Sequence, residues 1–178
     1  MNEVNLHLQQ WCALPDPYPE PRVKGRNRYY ASLLLEDYAG LVSETTAINQ
    51  YFYHYLTFYQ YPDLAELEEC VAIIEMYHME LLGKTIRLLG VAPRLRTLTQ
   101  KRPVYWDGSY VYYGRGICDR LAADIRAELG AIRQYKKHYQ LIDDPYIREL
   151  LERIILDEQH HLKLFREAAA KYCPDLKL

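Results

Sequence analysis

Apolar residues recur along most of the chain at steps of three, four and seven, which is the spacing of one face of an α-helix. The first such stretch runs from about Tyr29 to Gln60, and the second continues to about Leu89. Proline and glycine mark the ends, because Pro62 suits the first turn of a helix and Gly90 suits a C-terminal stop. Two long helices joined by a tight turn are therefore predicted.

The C-terminal half predicts a second pair of helices. The third helix runs from about Ile117 to Ile142. The fourth opens with Asp144 as its N-cap and Pro145 at its first position, and it ends before Pro174. Both pairs thus turn tightly on a proline.

The connection between the two pairs, residues 91–116, is unusually long for a compact domain. An extended chain spans up to about 3.3 Å per residue, so this connection can run the length of a bundle. Within it, Asp107-Gly108 lies between two aromatic and β-branched runs, which favours a type I′ hairpin at that dipeptide. The predicted fold class is all-α: a four-helix bundle with a long crossover between helices two and three that carries a small β-hairpin.

Residues 1–28 have a different character from the predicted bundle, which is expected to occupy residues 29–173. Four prolines alternate with other residues between positions 15 and 21. This alternation forbids a helix and favours an extended arm that is rich in proline and tyrosine. We expect the arm to lie along the bundle or along a second subunit, and a disordered leader is the equal alternative.

Two stretches of the predicted helices are nearly the same. Residues 44–55 read E-T-T-A-I-N-Q-Y-F-Y-H-Y, and residues 128–139 read E-L-G-A-I-R-Q-Y-K-K-H-Y. Each stretch is followed, one helix later, by Glu-x-x-His. The repeat supplies the carboxylates and imidazoles of Glu44, Glu75, His78, Glu128, Glu158 and His161.

These carboxylates interrupt apolar helical stripes, where a glutamate is costly unless it is paired, protonated or bound to metal. Residues three apart on a helix share a face, so each Glu-x-x-His directs both side chains to one centre. Four carboxylates in a dry interior repel one another, and two divalent cations would neutralise them. Carboxylate with imidazole suits iron, manganese or zinc. Solvent exposure or an ion pair accounts for any one glutamate on an apolar stripe. The same account fits six residues in register on four helices poorly.

The fourth helix offers two candidate pairs within D-E-Q-H-H: Asp157 with His160, and Glu158 with His161. Aligning Glu158 on Glu75 keeps the apolar positions of the two helices in register. The alternative alignment would put charged residues on the apolar face. We therefore assign Glu158 and His161 as ligands and place Asp157 and His160 outside the ligand set or at the surface.

The tyrosines seven residues after the first glutamate of each stretch, Tyr51 and Tyr135, lie within about 20° of that glutamate around the helix. They are close enough to hydrogen-bond a ligand carboxylate and orient it. Ordinary core tyrosines are the equal alternative. His54 and His138 fall roughly 80° off the stripe, so neither is given a ligand role.

Composition narrows the range of functions. The chain has 178 residues, 49% of them hydrophobic, and a net charge of −2, which fits one domain with a substantial core and no nucleic-acid partner. No apolar run is long enough to span a membrane, and the first residues lack a signal-peptide layout, so a soluble cytoplasmic protein is predicted. The four cysteines form no C-x-x-C, and we expect them to be reduced, buried or incidental.

The six-residue pattern resembles that of the ferritin-like di-metal carboxylate proteins over roughly residues 29–172. Within that superfamily the chain is similar to rubrerythrins, bacterioferritins and manganese catalases. The resemblance implies two iron or manganese ions per chain and an oxidoreductase that acts on hydrogen peroxide or dioxygen. It also implies a homo-oligomer, with an external electron donor if the activity is a peroxidase.

Two departures from rubrerythrins affect this interpretation. Their rubredoxin-type C-x-x-C pairs do not occur in this sequence, and Ile125 stands where they have an extra glutamate. Both departures favour manganese-dependent disproportionation of peroxide, because a catalase needs no electron donor. The alternative from a different class is a metal-storage or coat-like assembly protein, which the tyrosine-rich arm would suit.

Overall fold

The computed structural model describes residues 11–177, most of them helical. The helices are α1, Arg28–Ala39; α2, Glu44–Thr57; α3, Pro62–Leu88; α4, Ile117–Leu141; and α5, Pro145–Tyr172. Helices α1 and α2 follow one another where a single helix was predicted, so the five segments fill four bundle positions. Helix α2 packs against α3, and α4 packs against α5. The predicted all-α bundle with a long crossover is confirmed.

The expectation of one continuous helix through Glu44 is wrong, because the helix is interrupted between residues 40 and 43. A side chain at Gly40 would place its Cβ 2.6 Å from the backbone oxygen of Glu36, so the turn requires glycine. The Ser43 hydroxyl accepts a hydrogen bond from the Thr46 amide. The Ser43 hydroxyl also donates to the Gly40 carbonyl at 2.8 Å, and the Thr46 hydroxyl donates to the same carbonyl at 3.1 Å. These bonds satisfy the groups that two helix ends leave free. Glu44 is consequently the first residue of α2.

The other helix ends follow the predicted signals. Helix α3 begins at Pro62, and Gly90 follows its end with a φ of 89°, a left-handed conformation that glycine adopts freely. Asp144 caps α5, and its side chain accepts a hydrogen bond from the Tyr146 amide at 3.1 Å. The proline-marked turns are therefore placed as the sequence indicates.

The crossover contains a two-stranded antiparallel sheet. Its strands are β1, Arg96–Thr97, and β2, Val104–Tyr105. A hairpin is therefore present, but its loop is 98–103 and the predicted turn at Asp107-Gly108 is wrong. The Asp107 carboxylate accepts a hydrogen bond from the Ser109 amide at 2.8 Å, which begins a 3₁₀ turn instead. Gly108 lacks the positive φ that a type I′ turn needs.

Two clusters of buried apolar side chains fill the bundle. Along α3 one cluster ends at Ile74 and the other begins at Leu81, and along α5 the same boundary falls between Ile155 and Leu162. The residues between these positions include the predicted ligands of both helices. A polar layer therefore separates two apolar halves of the core.

Residues 11–27 contain no helix or strand and lie along α5. The Arg153 guanidinium donates to the backbone oxygens of Asp16 and Leu14, both at 2.8 Å. The Lys24 amide donates to the Asp144 carboxylate at 2.7 Å. This part of the predicted arm therefore packs on its own chain, while residues 1–10 lie outside the described residues.

The expectation of reduced cysteines is wrong, because the structure contains two disulfides. Cys12–Cys70 joins the N-terminal segment to α3, and Cys118–Cys173 joins the start of α4 to the end of α5. The partners are 58 and 55 positions apart, so no local spacing could reveal them. Disulfides are typical of oxidising compartments, and the cytoplasmic location stays a prediction. Within residues 11–177, no helix has the length and apolar character that crossing a membrane requires.

Candidate metal centre

The structure brings all six predicted ligands together in the polar layer between the two apolar clusters. Each is at most 3% exposed. The bundle helices contribute Glu44 from α2, Glu75 and His78 from α3, Glu128 from α4, and Glu158 and His161 from α5. Each of the four bundle positions therefore provides a carboxylate to one buried centre.

The six side chains form two overlapping groups of four. One group is Glu44, Glu75, His78 and Glu158, and the other is Glu75, Glu128, Glu158 and His161. In each group, one ligand atom from every residue lies within 4.8 Å of the others. Glu75 and Glu158 belong to both groups, whereas Glu44 and Glu128 each belong to one. This arrangement can hold two neighbouring ions with two shared carboxylates.

Both histidines present the same ring nitrogen to the shared carboxylates. His78 Nδ1 lies 3.0 Å from a Glu75 oxygen and 3.3 Å from a Glu158 oxygen. His161 Nδ1 lies 3.1 Å and 3.5 Å from the other oxygens of the same two residues. The two Glu-x-x-His segments thus face one another across the pair of shared carboxylates.

The electrostatics of the layer show an excess of carboxylate. Burial and the Glu75 charge raise the pKa of Glu44 well above its usual range, and burial and the Glu158 charge do the same for Glu128. Although burial opposes it, the close approach of the His161 ring, and then of the His78 ring, holds the pKa of Glu75 well below its usual range. Burial lowers the pKa of His161, but the Glu158 and Glu75 carboxylates raise it to about 9. The layer thus needs protons or metal cations to balance its charge.

Several buried atoms of the layer lack hydrogen-bond partners, and such atoms show whether the layer suits metal ions. Glu75 Oε1 and His161 Nδ1 approach to 3.1 Å, yet neither makes a hydrogen bond. Glu128 Oε2 and Glu158 Oε1 are also buried without a partner. Each such atom costs about 1–3 kcal/mol. Coordination would satisfy them, and carboxylate oxygen with imidazole nitrogen suits iron, manganese or zinc, so the residues fit a metal pair.

The two repeat tyrosines contact the carboxylates of the layer. The Tyr51 hydroxyl donates to Glu128, and the Tyr135 hydroxyl donates to Glu44. The sequence predicts bonds to ligand carboxylates, and the structure places each bond across to the other half of the repeat. Burial and the Glu128 charge raise the pKa of Tyr51 well above its usual range, so its hydroxyl stays protonated and remains a donor.

Asp157 lies behind His78, outside the ligand set. Its carboxylate is 3.2 Å from His78 Nε2 and accepts hydrogen bonds from the Leu14 amide at 2.9 Å and from the Tyr18 hydroxyl. Arg153 Nη1 is 2.7 Å away. This support fixes the His78 ring so that Nδ1 faces the layer. Sequence reasoning missed Leu14, Tyr18 and Arg153, and the only signal was an arginine one helical turn before a buried aspartate.

The remaining candidates lie outside the two ligand groups. His160 is at the rim, where its Nε2 is 2.8 Å from the backbone oxygen of Trp11. The neighbouring His161 does belong to a ligand group, but its Nε2 has no hydrogen-bond partner in the part of the chain that the structure describes. His54 and His138 belong to neither group.

A pocket of about 410 Å³ opens beside the layer. Its inner wall includes Glu44, Tyr51, Glu75, Glu128, Tyr135 and Glu158. Its outer wall includes Leu41 and Val42 at the helix break, Tyr110 and Tyr112 of the crossover, and Arg126. A small molecule entering here meets the side of the layer that carries Glu44 and Glu128.

The fold and this buried carboxylate and histidine layer define a ferritin-like di-metal bundle. The chain belongs to the ferritin-like domain family, whose model matches residues 39–172. The superfamily resemblance predicted from the six residues is confirmed.

Three particular proteins show how the chain relates to others. It is 29% identical over 127 residues to a bacterioferritin from Brucella melitensis biotype 1, a match that covers 68% of this chain and 73% of the relative. It is 26% identical over 171 residues to a probable manganese catalase from Clostridium acetobutylicum, covering 84% and 74%. KatB, a manganese catalase from Anabaena PCC7120, shares the fold with a TM-score of 0.81 at 22% identity, covering 93% of this chain and 84% of KatB.

Proposed function

We propose that this chain is a dinuclear-metal oxidoreductase that acts on hydrogen peroxide or dioxygen. The observation that carries the proposal is the pair of ligand groups that share Glu75 and Glu158, lying beside a pocket large enough for a small oxidant. Two bound iron or manganese ions would supply and take back the electron pair that breaks the O–O bond.

The chain's own residues would position these parts. Glu44, Glu75, His78, Glu128, Glu158 and His161 would hold the ions. The pocket brings the substrate to the side of Glu44 and Glu128, and the two apolar clusters exclude bulk water from the layer. The hydroxyls of Tyr51 and Tyr135, on the pocket wall, donate hydrogen bonds that would orient the two unshared carboxylates.

The finer form of the proposal is manganese-dependent disproportionation of peroxide. A peroxidase needs a fresh electron pair in each cycle, and the sequence has no C-x-x-C pairs to build a rubredoxin-type donor. A catalase recovers its electrons from a second peroxide. The relative named as a probable manganese catalase aligns over 84% of this chain, which supports this form.

The second candidate is a metal-storage or assembly protein. The bacterioferritin relative supports it at a similar level of identity. A storage protein would accumulate iron far beyond the number of ligand groups in one chain, and it would assemble into a large particle. Membership of a homo-oligomer, with or without an external electron donor, is part of both proposals.

The test is to load the protein separately with manganese and iron, add hydrogen peroxide without reductant, and follow oxygen release. We expect sustained oxygen evolution from the manganese form. Glu158→Ala, which removes a shared carboxylate, should abolish it, whereas Glu149→Ala on the exposed side of α5 should not. A single stoichiometric oxidation that stalls until a reductant is added would contradict the catalase form. Large iron uptake by a large particle without turnover would favour storage.

A further inference from the structure

A second cluster of metal-ligating side chains lies apart from the dinuclear layer. It consists of His54 on α2, Glu68 on α3 and Asp124 on α4, all 0% exposed. One ligand atom from each lies within 4.8 Å of the others. Glu68 precedes Glu75 by two turns of α3, or roughly 10 Å along the helix axis, so the cluster is separate from the shared carboxylates.

A hydrogen bond to a backbone carbonyl requires a proton on Nε2 of His54. Nε2 lies 3.0 Å from the backbone oxygen of Tyr112, which can only accept, so Nε2 must be the donor. Nδ1 lies 3.0 Å from Asp124 Oδ1 and 3.9 Å from Glu68 Oε1. In a neutral ring, Nδ1 therefore directs its lone pair between two carboxylates. A backbone carbonyl that holds the far N–H is how proteins orient a metal-ligating histidine.

Glu68 is the member that an ordinary ion pair leaves unexplained. A charged His54 could pair with Asp124, but both Glu68 oxygens are buried without a hydrogen-bond partner. Burial and the Asp124 charge raise the pKa of Glu68 well above its usual range. The charge of the nearby Arg120 lowers this pKa in part, but Arg120 makes no hydrogen bond to Glu68: its Nε donates to the Gly114 carbonyl at 2.9 Å, and its guanidinium lies over the Phe58 ring. A cation or a proton is needed at Glu68.

Asp124 is already oriented toward this position. Gln50 Nε2 donates to Asp124 Oδ1 at 2.8 Å, and Gln50 Oε1 accepts from the Tyr112 amide at 3.1 Å. Gln50 and His54 thus hydrogen-bond the backbone N–H and the carbonyl of Tyr112, respectively. Tyr112 belongs to the crossover and lines the mouth of the pocket. The cluster therefore joins three helices and the crossover at one point.

We propose that His54, Glu68 and Asp124 form a third metal site that binds a single divalent first-row transition ion. One nitrogen and two carboxylates suit zinc, manganese or iron, and the two negative charges balance a divalent ion. The ion links α2, α3 and α4 and holds the crossover beside the pocket. The proposal is independent of the peroxide chemistry, because none of its ligands belongs to the dinuclear layer.

The direct test uses zinc as the probe on the full chain. Protein stripped with a chelator is crystallised and loaded with zinc, and anomalous data are collected at the zinc edge. We expect a peak at roughly 2.0–2.1 Å from His54 Nδ1. Absence of this peak overturns the proposal whether or not the dinuclear layer is filled. Peaks at the layer are read separately, so failure of the proposed function would be recognised independently.

A substitution separates a metal from a proton at the same place. Glu68→Gln copies a protonated glutamate in shape, and Glu66→Gln changes an exposed residue of the same helix as the control. After zinc loading, Glu68→Gln should bind one ion fewer per chain than the wild type, and Glu66→Gln should bind the same number. Equal zinc content in all three proteins would mean that a proton occupies the cluster and would overturn the proposal. Circular dichroism of the stripped proteins checks that the variants fold.

Discussion

The two halves of the repeat supply the same ligands, but the side chains behind those ligands differ. Asp157 supports the Nε2 side of His78 at 3.2 Å, while His161 Nε2 has no partner among residues 11–177. The repeat places Ile74 at the position equivalent to Asp157. The two halves therefore share the groups that face the centre but not those behind them, so the surroundings of the two ligand groups differ.

The repeat histidines His54 and His138 show the same divergence. His138 Nδ1 lies 2.8 Å from Asp37, and its Nε2 lies 3.3 Å from Glu36, so both nitrogens face carboxylates. Although burial opposes it, the Asp37 carboxylate raises the pKa of His138, which favours the charged ring. His54 instead faces the Tyr112 carbonyl through Nε2, and its Nδ1 faces the Asp124 and Glu68 carboxylates. One position of the repeat thus yields an ion pair in one half and a candidate ligand in the other.

The largest expected effect compares a shared with an unshared carboxylate. Glu158→Ala removes a ligand from both groups, so the protein should lose both ions of the layer. Glu44→Ala removes a ligand from one group and should leave one ion bound. Manganese per chain after dialysis measures this difference, with the exposed Glu149→Ala as control. Equal losses in the two variants would contradict the distinction between a shared Glu158 and an unshared Glu44. Unchanged helical content would show that the loss is local.

A smaller effect should separate the two metal positions. Asp157→Asn removes the carboxylate behind His78, and such a change typically weakens metal affinity by about 10- to 100-fold. Only the ion on the His78 side should respond, because Asp157 contacts His78 and makes no hydrogen bond to His161 Nε2. Stepwise calorimetric titration with manganese measures the two affinities, with the exposed Asp143→Asn as control. Equal weakening of both steps would contradict the inequality of the halves.

The smallest expected effect concerns the feature that the halves share. Tyr51→Phe and Tyr135→Phe each remove one hydroxyl that donates to an unshared carboxylate of the opposite half. Each should weaken binding at one position by roughly 1 kcal/mol, the usual net contribution of a hydrogen bond. The same titration measures both variants. A large effect from one substitution and none from the other would show that the Tyr51 and Tyr135 hydrogen bonds do not contribute equally to metal binding.

The sequence predicts which six side chains the bundle brings together, because the signal is repeated. Glu75 and Glu158 each interrupt an apolar stripe and precede a histidine by three positions, so a helical period alone brings them together. The prolines Pro62 and Pro145 fix the turns for a similarly local reason. These features depend on spacing within one helix, which the sequence displays directly.

The features that sequence reasoning missed depend on tertiary contacts or on competition between local hydrogen bonds. The apolar period continues through Gly40 and Ser43, so it conceals the break that their hydrogen bonds create. The Asp107 side chain accepts a hydrogen bond from the Ser109 amide, and the resulting 3₁₀ turn displaces the expected hairpin turn. Cys12 and Cys70 meet only because the N-terminal segment packs on the bundle.

The support of Asp157 also has a consequence for the order of folding. Its donors Leu14 and Tyr18 are separated from it by 143 and 139 positions, whereas Glu75 and His78 lie within one helical turn. Contacts between such distant positions carry the largest loop-closure cost and form slowly. The Cys12–Cys70 crosslink, once formed, shortens the search by holding the N-terminal segment against α3. We expect the His161 side of the layer to form together with the helices. The His78 side should be completed only when the N-terminal segment packs on α5.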